Sequence, residues 1–126
     1  MVDFQKWLHK AKDDLLWTKS NIENSIYYGA CFTAQQAAEK ALKSYLLFHN
    51  RKLRKIHDLI ALTEDCKNID DSFSELQPAA KVLYPYYIET RYPGFDDFVS
   101  FTEEQAQEAL QSAEQIVDFV ERKLLK

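Results

Sequence analysis

Apolar and polar positions recur along this chain with a period near 3.6, the spacing that gathers side chains onto one face of an α-helix. From Asp3 to about Asn21, the residues Phe4, Trp7, Leu8, Ala11, Leu15, Thr18 and Ile22 share one side. Lys6, Lys10, Lys12, Asp13 and Asp14 lie elsewhere around the wheel. Asp3 is placed to cap this helix and the polar run Asn21 to Ser25 to end it, so a second helix should return antiparallel after a short turn. Trp7 belongs to the core stripe, and Trp17 to its edge or to a subunit contact.

The densest pattern runs from Ala30 to Leu47. Ala30, Ala34, Ala37, Ala38, Ala41 and Leu42 make an inward face of small residues that lets neighbouring backbones approach closely, which places this helix at the middle of a bundle. Gln36, Glu39, Lys40 and Lys43 fall largely on the other face, and Gln35, Gln36, Glu39 and Lys40 are expected to look outward. The pattern then breaks at His49 to Asp58, HNRKLRKIHD. Asp58 reads as the N-cap of a third helix with Leu59, Leu62 and Cys66 inward.

Lys67 to Ser74, KNIDDSFS, reads as an exposed loop. A fourth helix begins near Gln77, with Pro78 tolerated in its first turn and Ala79, Ala80, Leu83, Tyr84 and Tyr87 mostly on one side. Pro85 removes a backbone donor at a cost of about 3 kcal/mol in a helix interior, which predicts a kink or break close to Tyr84. Arg91, Tyr92, Pro93 and Gly94 should end the element. In the last helix, Thr102 and Gln105 have the capping-box spacing, Glu103 and Glu104 suit the positive end of the helix dipole, and Arg122, Lys123 and Lys126 suit the negative end. Ala106, Ala109, Ala113, Ile116, Val120 and Leu124 form its buried stripe. The expected fold is all-α: an antiparallel four-helix bundle with a short additional helix, one domain over residues 1–126.

Composition agrees, since two Gly and three Pro in 126 residues favour helices over a strand-and-turn fold. A net charge of −4 gives no reason for indiscriminate attraction to nucleic acid or anionic membrane, although a local basic patch is compatible with it. The charged N-terminus does not resemble a signal peptide, and no segment approaches the length of a membrane span, so a cytoplasmic location is expected. Cys31 and Cys66 form no CxxC pair and no cysteine–histidine cluster. They read as buried reduced thiols, with no metal and no cofactor expected.

Nucleophile-elbow and glycine-rich phosphate-loop motifs are absent. Two polar constellations remain. Arg51, Lys52, Arg54 and Lys55, flanked by His49 and His57, suit phosphate groups or form an ordinary solvated loop. Arg91 stands near Glu89 among Tyr86, Tyr87 and Tyr92: the guanidinium can hold phosphate while tyrosines stack on bases, or it can pair with a helix neighbour while the tyrosines pack an interface. Phe95, Phe98 and Phe101, added to Tyr84, Tyr86 and Tyr87, exceed what one small core needs to hide, so part of this aromatic surface is expected beneath a second subunit.

Three separated stretches, YYGACFTAQQAAEKALKSYLL, IHDLIAL and YYIETRYPG followed by EEQAQEAL, together resemble the HEPN domain (higher eukaryotes and prokaryotes nucleotide-binding) in the right order over nearly the whole chain. The resemblance implies four main helices with a short extra one, commonly a homodimer, often partnered in prokaryotes with a minimal nucleotidyltransferase. Many HEPN proteins are metal-independent ribonucleases whose Arg and His, a few residues apart, line a cleft at the dimer interface. Here no histidine follows Arg91. Arg51 and His57, with five residues between them, match the spacing but lie between the second and third helices rather than late in the bundle. His57 also reads as structural, starting the third helix with Asp58. The resemblance therefore implies a noncatalytic dimeric module that binds a nucleotide, nucleic acid or a nucleotidyltransferase partner, with Arg91, Tyr92, Lys40, Lys43, Arg51, Arg54 and His57 as its polar contacts. The alternatives are a ribonuclease of a toxin–antitoxin pair, with Arg51, His57 and Arg91 as catalytic candidates, and a helical protein–protein adaptor.

Overall fold

Alanine sets the layout of this chain, whose computed structural model describes residues 2–89 and 101–125. The central helix α2 (Tyr27–Phe48) carries Ala30, Ala34, Ala37, Ala38 and Ala41, all fully buried. Around it stand α1 (Asp3–Glu23), α3 (Leu59–Lys67), α4 (Gln77–Leu83), the single turn α5 (Tyr86–Glu89) and α6 (Glu103–Leu124), and α2 packs against each of them. The expected all-α bundle is what forms. One contiguous core runs through it, with Leu42, Leu59, Leu62, Phe73, Leu76, Leu83, Ile116 and Val120 supplying its bulk.

The α1–α2 contact is close and partly polar. A Cβ on Gly29 would come within 3.0 Å of Ile26 and 3.2 Å of Asn21, so the glycine is what permits this approach. The Thr18 and Thr33 hydroxyls meet at 2.7 Å, and Lys40 Nζ reaches Asp14 Oδ2 at 2.6 Å. The polar run Asn21 to Ser25 ends α1 as expected, although Asn21 itself is not its last residue. It is buried inside the helix, which runs on to Glu23, and the chain reverses at Ser25 with φ 59°. Asp3 is likewise the first helical residue rather than the cap: Val2 holds the cap position, and its N–H donates to the Gln5 side chain at 3.1 Å.

Asp58 caps α3 as expected, Oδ1 accepting from the Ile60 and Ala61 N–H groups at 2.9 and 3.1 Å. The stretch expected as an exposed loop is instead partly ordered, with a 3-10 helix over Asp71–Leu76. A 3-10 turn aligns side chains three positions apart, and here it sends Phe73 and Leu76 together into the core. Asp70 starts that turn. Pro85 acts as its chemistry requires: α4 stops at Leu83, and the chain resumes helical geometry as α5. Thr102 and Gln105 complete the capping box of α6 at 3.1 and 2.9 Å.

Cys31 and Cys66 are buried and not joined to each other, and burial, with Asp65 adding to it, pushes the Cys66 thiol well above its ordinary pKa. No helix of the described residues is long and apolar enough to cross a membrane. The expected ending at Arg91 to Gly94, and the aromatic residues Phe95 and Phe98, lie outside the described residues.

Asp70 ties the 3-10 turn to α6. Its carboxylate accepts from the Ser72 hydroxyl at 2.7 Å, from the Ser72 N–H at 3.0 Å and from Lys123 Nζ at 2.9 Å. These contacts, the Ser72 hydroxyl first, hold its pKa at about 2, below the ordinary 3.8. A carboxyl depressed on folding contributes stability that is present above its unfolded pKa and lost as pH falls through the folded one. Urea midpoints of the wild type and Asp70→Asn should therefore differ at neutral pH and converge as pH is lowered from 3.8 towards about 2. A gap unchanged across that window would contradict the assignment.

Candidate functional site

Gln35, Glu39 and Lys43 stand four residues apart on one stripe of α2. They are 0, 4 and 6% exposed, so the expectation that Gln35 and Glu39 look outward, with Lys43 on the same polar side, is overturned. A helix surrounded by neighbours has no solvent face, and its polar stripe must then be covered and paired. The cover comes from Trp7 of α1, whose ring centroid lies 5.8 Å from Lys43 Nζ, and from the loop preceding α3.

Glu39 is the hub of the polar stripe. Its Oε1 accepts from Gln35 Nε2 at 3.1 Å and from His57 Nδ1 at 3.0 Å, and its Oε2 accepts from Lys43 Nζ at 3.0 Å. Gln35 Nε2 also donates to the His57 carbonyl at 3.3 Å, and Gln35 Oε1 accepts from Gln36 Nε2 at 2.6 Å. Taking charges out of water is costly unless they are paired and their remaining valences filled. Among the described residues no buried side-chain nitrogen or oxygen lacks a partner.

The network ends on an exposed imidazole. The His57 side chain is 45% exposed, yet its ring is held at the Nδ1 edge by Glu39 and on one face by Tyr87, stacked at 4.0 Å between centroids and 11° between planes. A carboxylate accepts and cannot donate, so Nδ1 carries the proton and the neutral ring keeps its lone pair on Nε2. That nitrogen can accept a hydrogen bond or a proton.

The other candidate residues divide by their contacts. Lys43 is committed to Glu39, and Lys40 to Asp14. Arg54 places Nε and Nη2 on Asp65 Oδ2 at 3.0 and 2.8 Å, which fastens the loop to α3. Arg51, Lys52 and Lys55 are exposed, with no ion pair or side-chain hydrogen bond among the described residues. Arg91 and Tyr92 lie outside the described residues. The structure thus brings together Lys43, Glu39, His57 and Tyr87. Sequence reasoning missed Glu39 as a site residue, though a signal existed: Gln35, Glu39 and Lys43 at four-residue spacing on a helix assigned to the bundle centre cannot all reach water. For the ring contact between His57 and Tyr87, thirty positions apart, there was no sequence signal.

The model of the HEPN domain family matches residues 4–123. TT1696 from Thermus thermophilus is similar in structure, with a TM-score of 0.89 and 37% identity over 98% of this chain and 99% of that one. ST0689, an archaeal HEPN homologue, has a TM-score of 0.78 and 27% identity over 98% of each chain. A HEPN domain protein from Thermotoga maritima has a TM-score of 0.78 and 25% identity over 96% of this chain and 98% of that one. No curated protein matches the chain.

Lys43→Met would leave the buried Glu39 carboxylate without its counter-charge, at an expected cost of about 3–5 kcal/mol in urea denaturation. Adding Glu39→Gln to that variant should recover much of the loss. Two losses that simply add would contradict a coupled network.

Proposed function

This chain belongs to the HEPN domain family, and on that footing we propose that residues 1–126 act as one noncatalytic module that binds a phosphate-bearing ligand, a nucleotide or nucleic acid. The observation that supports this reading is the surface around His57. Among the described residues no carboxylate pairs with Arg51, Lys52 or Lys55, which lie in the loop that ends at an exposed imidazole fixed from within by Glu39. In a chain of net charge −4 such a cluster is a local attraction for phosphate rather than a consequence of overall charge. Lys43, through Glu39, and Arg54, through Asp65, hold this surface in place, while Lys40 is committed to Asp14. Arg91 and Tyr92 are proposed as further contacts on the sequence argument alone.

A ribonuclease is the alternative with a specific observation in its favour: with Nδ1 on a carboxylate, His57 keeps Nε2 as an open base. Arg51 would be its partner in that chemistry. The absence of any histidine after Arg91 favours binding over cleavage. Homodimerisation and a nucleotidyltransferase partner belong to the same proposal, supported by the exposed apolar side chains Leu16, Trp17, Tyr84 and Ile88. Of the aromatic segment expected beneath a second subunit, Tyr86 and Phe101 are taken up by the chain's own core.

Fluorescence anisotropy with a short single-stranded RNA should show binding that weakens as salt rises, and Arg51→Ser should lower the log–log salt slope by roughly 0.7, the share of one phosphate contact on a single strand. No association at low or moderate salt would contradict the proposal. Cleavage of that RNA in chelator, abolished by His57→Ala, would replace it with the ribonuclease. Light scattering at micromolar concentration should give a dimer, and a monomer would remove that part of the reading.

A further inference from the structure

We propose that the stacked rings of His57 and Tyr87 form a subsite for an unpaired nucleobase, so that the ligand is a base-bearing nucleotide or single strand rather than phosphate alone. This rests on the binding reading above. His57 is held at three points: Glu39 holds its Nδ1 edge, Gln35 holds its carbonyl, and Tyr87 covers one ring face at 4.0 Å and 11°. Its side chain is nevertheless 45% exposed, and with the Nδ1 edge and one face engaged, that exposure falls to the rest of the ring.

A flat ring that cannot rotate loses little conformational entropy when a second flat group settles on it. Bases stack on such surfaces whatever their sequence, because every base has a π-face. Arg51, Lys52 and Lys55 are exposed in the loop that ends at His57, where they can meet the phosphates of the same strand. The Nε2 lone pair can accept from an exocyclic amine or a ribose hydroxyl. Packing alone does not account for this arrangement, since a buried Glu39–Lys43 pair is often no more stabilising than apolar residues of the same volume. What the pair does supply is a fixed plane and tautomer for a histidine at the surface.

The test compares two labelled strands of equal length and phosphate number, one of adenosine nucleotides and one abasic, by anisotropy at low salt. The wild type should bind the base-bearing strand about tenfold more tightly. His57→Ala and Tyr87→Leu should bring the ratio close to one, chiefly by weakening the base-bearing strand, whereas Tyr87→Phe should keep the preference. If His57→Ala fails to fold in a thermal melt, the Tyr87→Leu and Tyr87→Phe pair decides. Equal affinity of the wild type for both strands overturns the subsite and leaves the phosphate reading standing. A base preference that survives Tyr87→Leu also overturns it, and no binding to either strand overturns both readings.

Discussion

A buried carboxylate on the central helix is the constraint from which the site follows. Glu39 is covered by neighbouring elements and must find donors inside the protein, and it finds three: the Gln35 amide, the Lys43 ammonium and the His57 imidazole. Each donor fixes something different. Lys43 neutralises the charge, Gln35 reaches on to the His57 carbonyl and pins the start of α3, and His57 acquires one tautomer and one plane. Removing the carboxylate would release all three together, which is why the fold at this point and the site cannot be separated.

Much of the fold was legible because it follows from local chemistry. Asp58 and Thr102 cap the helices they precede, Pro85 breaks the helix that contains it, and the alanine stripe puts α2 at the centre. Three positions depart from their local reading for identifiable reasons. Asn21 looked like a turn former but is a buried contact beside Gly29, and Asp3 yielded the cap position to Val2. The KNIDDSFS stretch is polar enough for a loop, yet its Phe73 needs burial and a 3-10 turn provides it. Local polarity decides such positions only where no neighbour comes to cover them.

The site was less legible than the fold. A helical wheel gives the direction of a side chain but not what lies in that direction, so Glu39 and Lys43 were assigned to a polar face that the folded chain encloses. The basic loop, in contrast, was visible as composition. Its residues separate by function once contacts are known: Arg54 is spent on Asp65, while Arg51, Lys52 and Lys55 keep their charge exposed. The pairing of His57 with Tyr87 depends on how the short α5 is presented after Pro85, a tertiary outcome that no single-sequence periodicity encodes.

The central claim is that buried groups of α2 dictate the state of a surface histidine. Long-range proton–nitrogen NMR correlations of the neutral His57 imidazole test this directly. The account predicts one tautomer, protonated at Nδ1 and bare at Nε2, giving way to a mixture in Glu39→Gln. A wild-type ring protonated at Nε2, or averaging between tautomers as free imidazole does, would contradict it.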